Sequence, residues 1–271
     1  MKRRKEGFTI VEMALFLAIT GLLFVGIIAG TYGAIKRQRY NDSVQSFANL
    51  WRDIYSEVSN TQNYGGYGNT EEAIYGKLVV FGENKDLSGK PLEGYLRQVF
   101  IYDVIADASS DAGTGDTIEM LSKMKINVLY YETSTKRAYV AGLARSYAPT
   151  WGGVVQNTGK DNSNNQFRGS VLVVRHPGSG AISTFYYSGV IDVNSFLDGG
   201  QKNELSVKKI LEDKIGEFKQ EKITFCINSD DIGMNTSHRQ GIVIEKGAHS
   251  SAGVSTLSFD NIKNDCTNLN G

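Results

Sequence analysis

Residues 7–35 read GFTIVEMALFLAITGLLFVGIIAGTYGAI and decide the architecture of this chain of 271 residues. From Met13 to Ile35 there are 23 residues without a formal charge, and Lys36 is the first charge that follows. As an α-helix such a run spans about 35 Å, which is enough to cross the ~30 Å hydrocarbon layer of a bilayer. It is also longer than the apolar part of a cleavable secretory signal. We therefore predict a membrane-spanning helix.

The net charge of zero hides an uneven distribution. The chain has 29 basic and 29 acidic side chains, but residues 1–7 alone carry a net charge of +3, so the remainder carries −3. This composition disfavours a basic nucleic-acid binder, a disordered chain and a disulfide-dense scaffold. Basic residues stand on both sides of the apolar run, at 2–5 and at 36–39, so the charge count favours a cytoplasmic amino terminus by a small margin.

One acidic residue, Glu12, stands at the start of the apolar run. A carboxylate near the bilayer costs a few kcal/mol and is usually there for a partner. The alternative is that Glu12 lies at the membrane interface and complements the helix dipole in the first turn.

The segment KEGFTIVEMALFLAITGLL, residues 5–23, resembles the class III signal peptide of type IV prepilins and pseudopilins. The shared features are a short basic leader, a Gly–Phe junction, an acid four residues further on and an apolar helix. The resemblance implies that residues 1–7 are a leader, which a prepilin peptidase removes between Gly7 and Phe8, and that Phe8 is then N-methylated. It also implies that Glu12 guides assembly by meeting the amino terminus of a neighbouring subunit. The match covers residues 1–35 closely and the following helix loosely.

A helical pattern continues beyond the apolar run. Apolar side chains recur there every three or four residues, namely Val44, Phe47, Trp51, Ile54, Tyr55 and Val58. The pattern predicts an amphipathic half at residues 36–60, with one face packed on a globular head. Because no helix breaker occurs from Phe8 to Ser59, we predict one helix of about 50 residues, of which 8–35 form the transmembrane or filament-core half. The alternative is two helices that meet near Tyr32 and Gly33.

Residues 61–271 are predicted to form an extracytoplasmic, β-rich globular head. The predicted strands are Lys77–Phe81, Tyr95–Ile105, Lys125–Glu132, Arg137–Leu143, Gly169–Arg175, Ala181–Tyr187, Lys222–Ile227, Gly241–Glu245 and Val254–Phe259. A helix is predicted at Asn203–Glu221, and turn-rich loops at Asp107–Asp116 and Gly152–Arg168. The fold class is therefore α+β, an antiparallel sheet packed on the long N-terminal helix, and the resemblance implies the type IV pilin fold.

Aromatic residues are interleaved with the predicted strands, and Phe185, Tyr186 and Tyr187 are consecutive. Consecutive strand residues point to opposite faces of a sheet, so we expect at least one of the three to be exposed.

Two cysteines occur, Cys226 and Cys266. If the head is extracytoplasmic they can form a disulfide that bounds residues 226–266. Such a region resembles the carboxy-terminal disulfide-bounded region of many pilins. The alternative is a pair of free buried thiols.

Catalytic motifs are missing from the sequence. It has no HExxH or GxSxG pattern, no Walker-type loop and no spaced Cys/His cluster. The three histidines, His176, His238 and His249, each stand beside turn residues. We therefore expect no enzyme activity, no catalytic residue, no cofactor and no metal site.

The expected function is structural. The resemblance implies a minor or large pilin of a type IV pilus or related filament, with a role in surface adhesion or motility. Its implied partners are other pilin subunits through their N-terminal helices, a prepilin peptidase, a membrane assembly platform with its ATPase, the lipid bilayer before assembly, and a host or surface ligand. The expected location is single-pass in the cytoplasmic (inner) membrane, followed by the cell-surface filament.

Two other functions remain open. The first is a pseudopilin of a type II secretion system or a competence pilin that takes up DNA. DNA binding needs a basic patch, for which the candidates are Lys208, Lys209, Lys214, Lys219 and Lys222. The second is a membrane-anchored extracytoplasmic binding protein that forms no filament.

Overall fold

A single long helix, α1, runs from Ile10 to Ser59 and is 50 residues long, as predicted. The alternative of two helices near Tyr32 and Gly33 is therefore wrong. The computed structural model describes residues 9–60, 62–63, 72–81, 99–107, 126–127, 129–132, 137–140, 145–156, 167, 169–176, 179–189, 217–228 and 240–266.

The described part of the head is built mainly from short antiparallel strands. These are β1 (Gln62–Asn63), β2 (Glu72–Phe81), β3 (Val99–Asp107), β4 (Ile126–Asn127), β5 (Leu129–Glu132), β6 (Arg137–Val140), β7 (Arg145–Tyr147), β8 (Val154–Gln156), β9 (Gly169–Arg175), β10 (Ile182–Tyr187), β11 (Ile223–Asn228), β12 (Gln240–Ile244) and β13 (Val254–Ser258). A short helix, α2, follows at Phe259–Cys266. Two 3₁₀ turns lie at Thr150–Gly152 and Ser251–Gly253.

The strands form two main sheets. The first has the order β10-β9-β2-β3, with β1 paired to β2 and with β4 and β7 both paired to β3. The second has the order β13-β12-β11-β8, and β5 and β6 form a separate hairpin-like pair. Every described strand pair is antiparallel. The fold is thus α+β, as the sequence predicts.

The distal half of α1 packs against both sheets and forms a common core with them. Phe47 and Trp51 of α1 are fully buried, and both contact the ring of Phe225 in β11, at centroid distances of 5.5 and 5.3 Å. The same two residues contact Phe81 of β2, at 6.4 and 6.2 Å. Burial of four aromatic rings stabilises the head, because each ring removes a large apolar area from water.

The first sheet is buried on both faces. Val79 and Phe81 face α1, while the alternate residues Leu78 and Val80 are also almost fully buried. Phe185 and Tyr187 are buried as well, at 3% and 9% exposure, and Tyr186 is half-buried. The expectation that one of these three aromatic residues is exposed is therefore wrong, because both faces of β10 are covered. Tyr187, for example, packs on Phe218 with 5.5 Å between ring centroids.

Several predicted elements need correction. The C-terminal end of the predicted helix at Asn203–Glu221 is not helical, because Lys219 instead makes an antiparallel bridge to Tyr186 in β10. The rest of that helix lies outside the described residues. The predicted loop at Gly152–Arg168 contains strand β8, which pairs with β11. Of the predicted loop at Asp107–Asp116, only Asp107 is described, and it ends β3.

Candidate membrane and assembly site

The apolar segment, defined here as Ile10–Ile35, projects from the head. All of its residues are exposed except Thr20, which is half-buried. Large side chains such as Leu22 and Phe24 are 74% and 62% exposed. A helix that is apolar all round and uncovered belongs in a hydrocarbon environment or in a packed assembly. Among the described residues, α1 is the helix that is long and apolar enough to cross a membrane.

The polar side chains of the apolar segment are satisfied within the helix. The Thr20 hydroxyl donates to the carbonyl of Phe16 at 2.7 Å, and that of Thr31 donates to the carbonyl of Ile27 at 2.9 Å. A hydroxyl that bonds the preceding turn needs no water, so it can enter a hydrocarbon layer at low cost.

Four glycines of the apolar segment have no packing role inside the chain. A methyl group placed on Gly21, Gly26, Gly30 or Gly33 would meet no atom within 4 Å. The chain's own fold therefore does not require glycine at these positions, although each costs about 1 kcal/mol of helix stability relative to alanine.

The helix begins at a reciprocal cap between Thr9 and Glu12. The backbone N–H and the hydroxyl of Thr9 each donate to Oε2 of Glu12 at 2.9 Å, and the backbone N–H of Glu12 donates to the Thr9 hydroxyl at 3.2 Å. This capping box satisfies two backbone donors and fixes the carboxylate beside the helix N-terminus, where the helix dipole favours a negative charge. Glu12 therefore has a capping role within its own chain.

Four residues, Lys36–Arg39, join the apolar segment to the head. Tyr40, at 1% exposure, is the first fully buried residue of α1. The Lys36 ammonium lies 4.4 Å from the ring centroid of Tyr32, and the Arg39 guanidinium lies 4.7 Å from the ring centroid of Trp151. Both are within the range of cation–π attraction.

A cluster of charges fixes the end of α1 to the first sheet. Arg145 in β7 forms a bidentate ion pair with Glu57, at 2.8 and 3.2 Å, and Lys77 in β2 contacts Glu57 at 2.9 Å. Lys77 also pairs with Asp103 of β3. Burial acts to raise the pKa of Glu57, but the hydrogen bonds and charges of Lys77 and Arg145 outweigh it, so the pKa is lowered from its ordinary value.

The predicted site residues fall into three groups. Gly7 and Phe8 lie outside the described residues. Glu12 is exposed at the start of α1. Cys226 and Cys266 are buried in the head and form a disulfide with Cα atoms 6.0 Å apart, which is one of the two states that the sequence left open. Glu12 and the disulfide thus belong to separate parts of the chain.

The described part of the chain presents no cluster of three or more His, Cys, Asp or Glu side chains that could hold a metal ion.

Of the lysines considered for DNA binding, Lys219 and Lys222 are described and exposed. Lys208, Lys209 and Lys214 lie outside the described residues, as does His238.

Sequence reasoning missed the contact between Arg39 and Trp151. The only local signal is that Trp151 precedes two glycines, which predicts a turn but not the conformation or the partner of the indole.

Searches with this chain found no matching protein-family model and no similar curated protein or solved structure.

Proposed function

We propose that this chain is a prepilin-like structural subunit. Residues 1–7 are its leader, the apolar segment anchors it in the cytoplasmic membrane, and the processed chain then enters a type IV pilus or related filament through that same segment. The head is extracytoplasmic and of the pilin-like type. The observation that carries the proposal is the uncovered apolar segment, which is continuous with a helical half whose apolar face is buried in the core of the head.

The continuity of α1 supports assembly through the helix. An anchor needs only to hold a protein on the membrane, and a short flexible linker would serve that purpose. Here the helix passes from fully exposed apolar residues into the head core without a break, and Trp51 and Phe47 hold it there. Subunits that pack through the exposed half would therefore place their heads in fixed positions, which is a requirement of an ordered filament.

Glu12 supports the proposal by its position. Cleavage after Gly7 would create a positive amine on Phe8, next to the N-cap Thr9. The cap already holds the Glu12 carboxylate at the helix N-terminus, so a neighbouring subunit's amine can approach a fixed negative charge. Such a pair is strong only in a low-dielectric environment with good geometry, and it would set the register between subunits.

The disulfide supports an extracytoplasmic head. Structural disulfides persist in oxidising compartments and are rare in the reducing cytosol. The bond between Cys226 and Cys266 ties α2 to β11, and a head on the oxidising side of the membrane would retain such a cross-link.

The test is to isolate surface filaments and determine the amino terminus of this subunit. We expect N-methylated Phe8 at the amino terminus of the filament subunit. Gly7→Ala should leave an unprocessed, membrane-inserted protein. Normal filaments that contain the unprocessed chain would overturn the proposal, and an uncut chain in a strain without filaments would favour an anchored binding protein instead.

Three further variants separate the capping role of Glu12 from its charge. Glu12→Gln keeps the capping box, because glutamine can also accept from the N-cap backbone, but it removes the charge. Thr9→Ala removes the cap and keeps the charge. We expect Glu12→Gln and Glu12→Ala to be processed but excluded from filaments, and Thr9→Ala to assemble. Assembly of Glu12→Gln at the wild-type level would show that the charge is not required.

A further inference from the structure

The exposed indole of Trp151 is an unusual feature of the head. Among the residues whose side-chain burial the structure describes, it is the one large apolar side chain outside the apolar segment that is exposed, at 54%. Trp151 also has a left-handed backbone conformation, with φ 58° and ψ 28°. A bulky residue rarely adopts this conformation, and where it does the surrounding structure must hold it there.

The neighbourhood of Trp151 provides that support. Pro149 and Gly153, on either side of the 3₁₀ turn, are buried. Gly153 lies so close to α1 that a methyl group on it would come within 2.4 Å of the Ser43 Oγ. The turn is therefore pressed against α1, and it presents the indole at a fixed position next to Arg39.

The height of Trp151 along α1 follows from its contact with Arg39. The uncharged run ends at Ile35, and four residues of α-helix add about 6 Å. The headgroup layer on each side of a bilayer is about 5–7 Å thick. If the apolar segment spans the hydrocarbon layer, the indole lies at the level of the lipid headgroups. Tryptophan is enriched at this level because its ring is apolar and its N–H is polar.

Three basic residues lie between the apolar segment and the first acid of the head half of α1, Asp42. Lys36, Arg37 and Arg39 follow the run directly, and Arg37 and Arg39 are exposed. Basic residues beside a membrane helix attract anionic lipid headgroups. The indole and the basic residues thus form one surface, defined here as the collar, which comprises Lys36, Arg37, Arg39 and Trp151.

We propose that the collar docks the head on an anionic lipid surface, with Trp151 inserted at the headgroup level and the basic residues paired with lipid phosphates. The occupant is the membrane that holds the apolar segment, because the collar is continuous with that segment along α1. The inference rests on the anchoring step of the proposed function and adds a second contact to it. The head of the unassembled subunit is then held at one height and one rotation on the membrane.

The environment of Trp151 can be followed directly by tryptophan fluorescence. It has two tryptophans, of which Trp51 is fully buried in the core. The difference between the fluorescence of the wild type and of Trp151→Phe therefore isolates Trp151. The full chain would be reconstituted in vesicles of phosphatidylcholine with phosphatidylglycerol, made with lipids brominated either near the glycerol end or near the methyl end of the acyl chains.

We expect the Trp151 emission to be quenched more by the shallow bromines than by the deep ones, and to be shielded from aqueous acrylamide. The matched control is the double variant Trp151→Phe/His249→Trp. It moves the exposed indole to the turn after β12, far along the head from Tyr40, and it should lose the bromine quenching. Equal emission of wild-type Trp151 with and without bromine would overturn the proposal.

The charge contribution has its own control. The triple variant Lys36→Gln/Arg37→Gln/Arg39→Gln should lose much of the quenching, whereas Lys246→Gln, at the exposed turn after β12, should not. Unchanged quenching in the triple variant, or equal quenching in vesicles without phosphatidylglycerol, would overturn the role of the anionic lipid.

Flotation of the vesicles distinguishes the failure of the collar from the failure of the membrane anchor. A chain that does not float with the vesicles overturns the anchoring step itself, whereas a floating chain with an unquenched Trp151 overturns only the collar.

Discussion

The hydroxyl of Tyr40 accepts a hydrogen bond from the backbone N–H of Gln240 at 2.5 Å, across 200 residues of sequence. The same hydroxyl donates to the carbonyl of Ile227 at 3.0 Å. Tyr40 therefore links the ends of β11 and β12 to α1 at the level where the helix enters the head.

Replacement of Tyr40 by Phe should destabilise the head. The ring would still fill its site, but the backbone N–H of Gln240 and the carbonyl of Ile227 would each lose a hydrogen bond. We expect a loss of about 1–3 kcal/mol in the free energy of unfolding, measured by urea denaturation of the full chain in detergent. Tyr32→Phe is the matched control, because Tyr32 is exposed on the apolar segment. Equal effects of both variants would contradict the role of the Tyr40 hydroxyl.

The ion pairs of Glu57 should make the head sensitive to acid. The pKa of Glu57 is lower in the folded chain than its ordinary value of 4.5. Its stabilising contribution is therefore complete above about pH 4.5 and is lost as the pH falls through the lower folded pKa. Because the side chain is partly exposed, we expect less than about 1 kcal/mol. Unfolding measured from pH 7 to pH 3 should depend less on pH in Glu57→Gln than in the wild type.

Salt provides a check on the same prediction. At about 1 M salt the Debye length falls to about 3 Å, so the difference between Glu57→Gln and the wild type at neutral pH should shrink. A difference that does not change with salt or with pH would mean that Glu57 acts through packing rather than through charge.

Reduction of the disulfide should loosen the carboxy-terminal part of the head. The two cysteines are 40 residues apart, and removal of such a cross-link typically costs about 2–4 kcal/mol. We expect the wild type in reducing agent and the variant Cys226→Ala/Cys266→Ala to lose similar stability, and α2 to be cleaved faster by protease. Reducing agent should have no effect on the double variant. If the reduced wild type kept its full stability, the cross-link would be without structural consequence.

Gly76 should tolerate no side chain. A methyl group there would lie 2.6 Å from the carbonyl oxygen of Val173 in β9, a backbone atom that cannot turn aside. Gly76→Ala should therefore force β2 and β9 apart and cost about 1–3 kcal/mol of unfolding free energy. Gly26→Ala is the control, because nothing in the chain lies within 4 Å of its added methyl group. Unfolding of the head at the wild-type midpoint in Gly76→Ala would contradict this account.

The elements that the sequence predicts well are those whose pattern is local. The 50 residues of α1 were predictable because an uncharged run and a three- and four-residue periodicity follow each other without a breaker. Strand β9 has the predicted bounds, Gly169–Arg175, since a run of small and β-branched residues is bounded there by turn residues.

The elements that were missed depend on distant partners. Val154–Gln156 becomes a strand because β11 offers an edge to pair with, and its own neighbours are typical of a loop. Phe218 fits a helical periodicity, but it packs on the distant Tyr187, and its neighbour Lys219 bonds the backbone of Tyr186. Residues far apart in sequence, such as Tyr40 and Gln240, leave no sign of their contact in the local pattern. The candidate site divides in the same way, since Glu12 and the basic residues after the apolar run are visible in the sequence, whereas the contact of Trp151 with Arg39 is not.

The continuity of one helix from the apolar segment to the core of the head has a mechanical consequence. A force applied to the head loads α1 along its axis, and the load reaches the exposed half through continuous backbone rather than through a hinge. The rings of Phe47 and Trp51 hold the helix on both sheets, so the head cannot slide along it without breaking its core. Tension would therefore be transmitted from the surface of the head to the far end of the apolar segment with little extension of the chain.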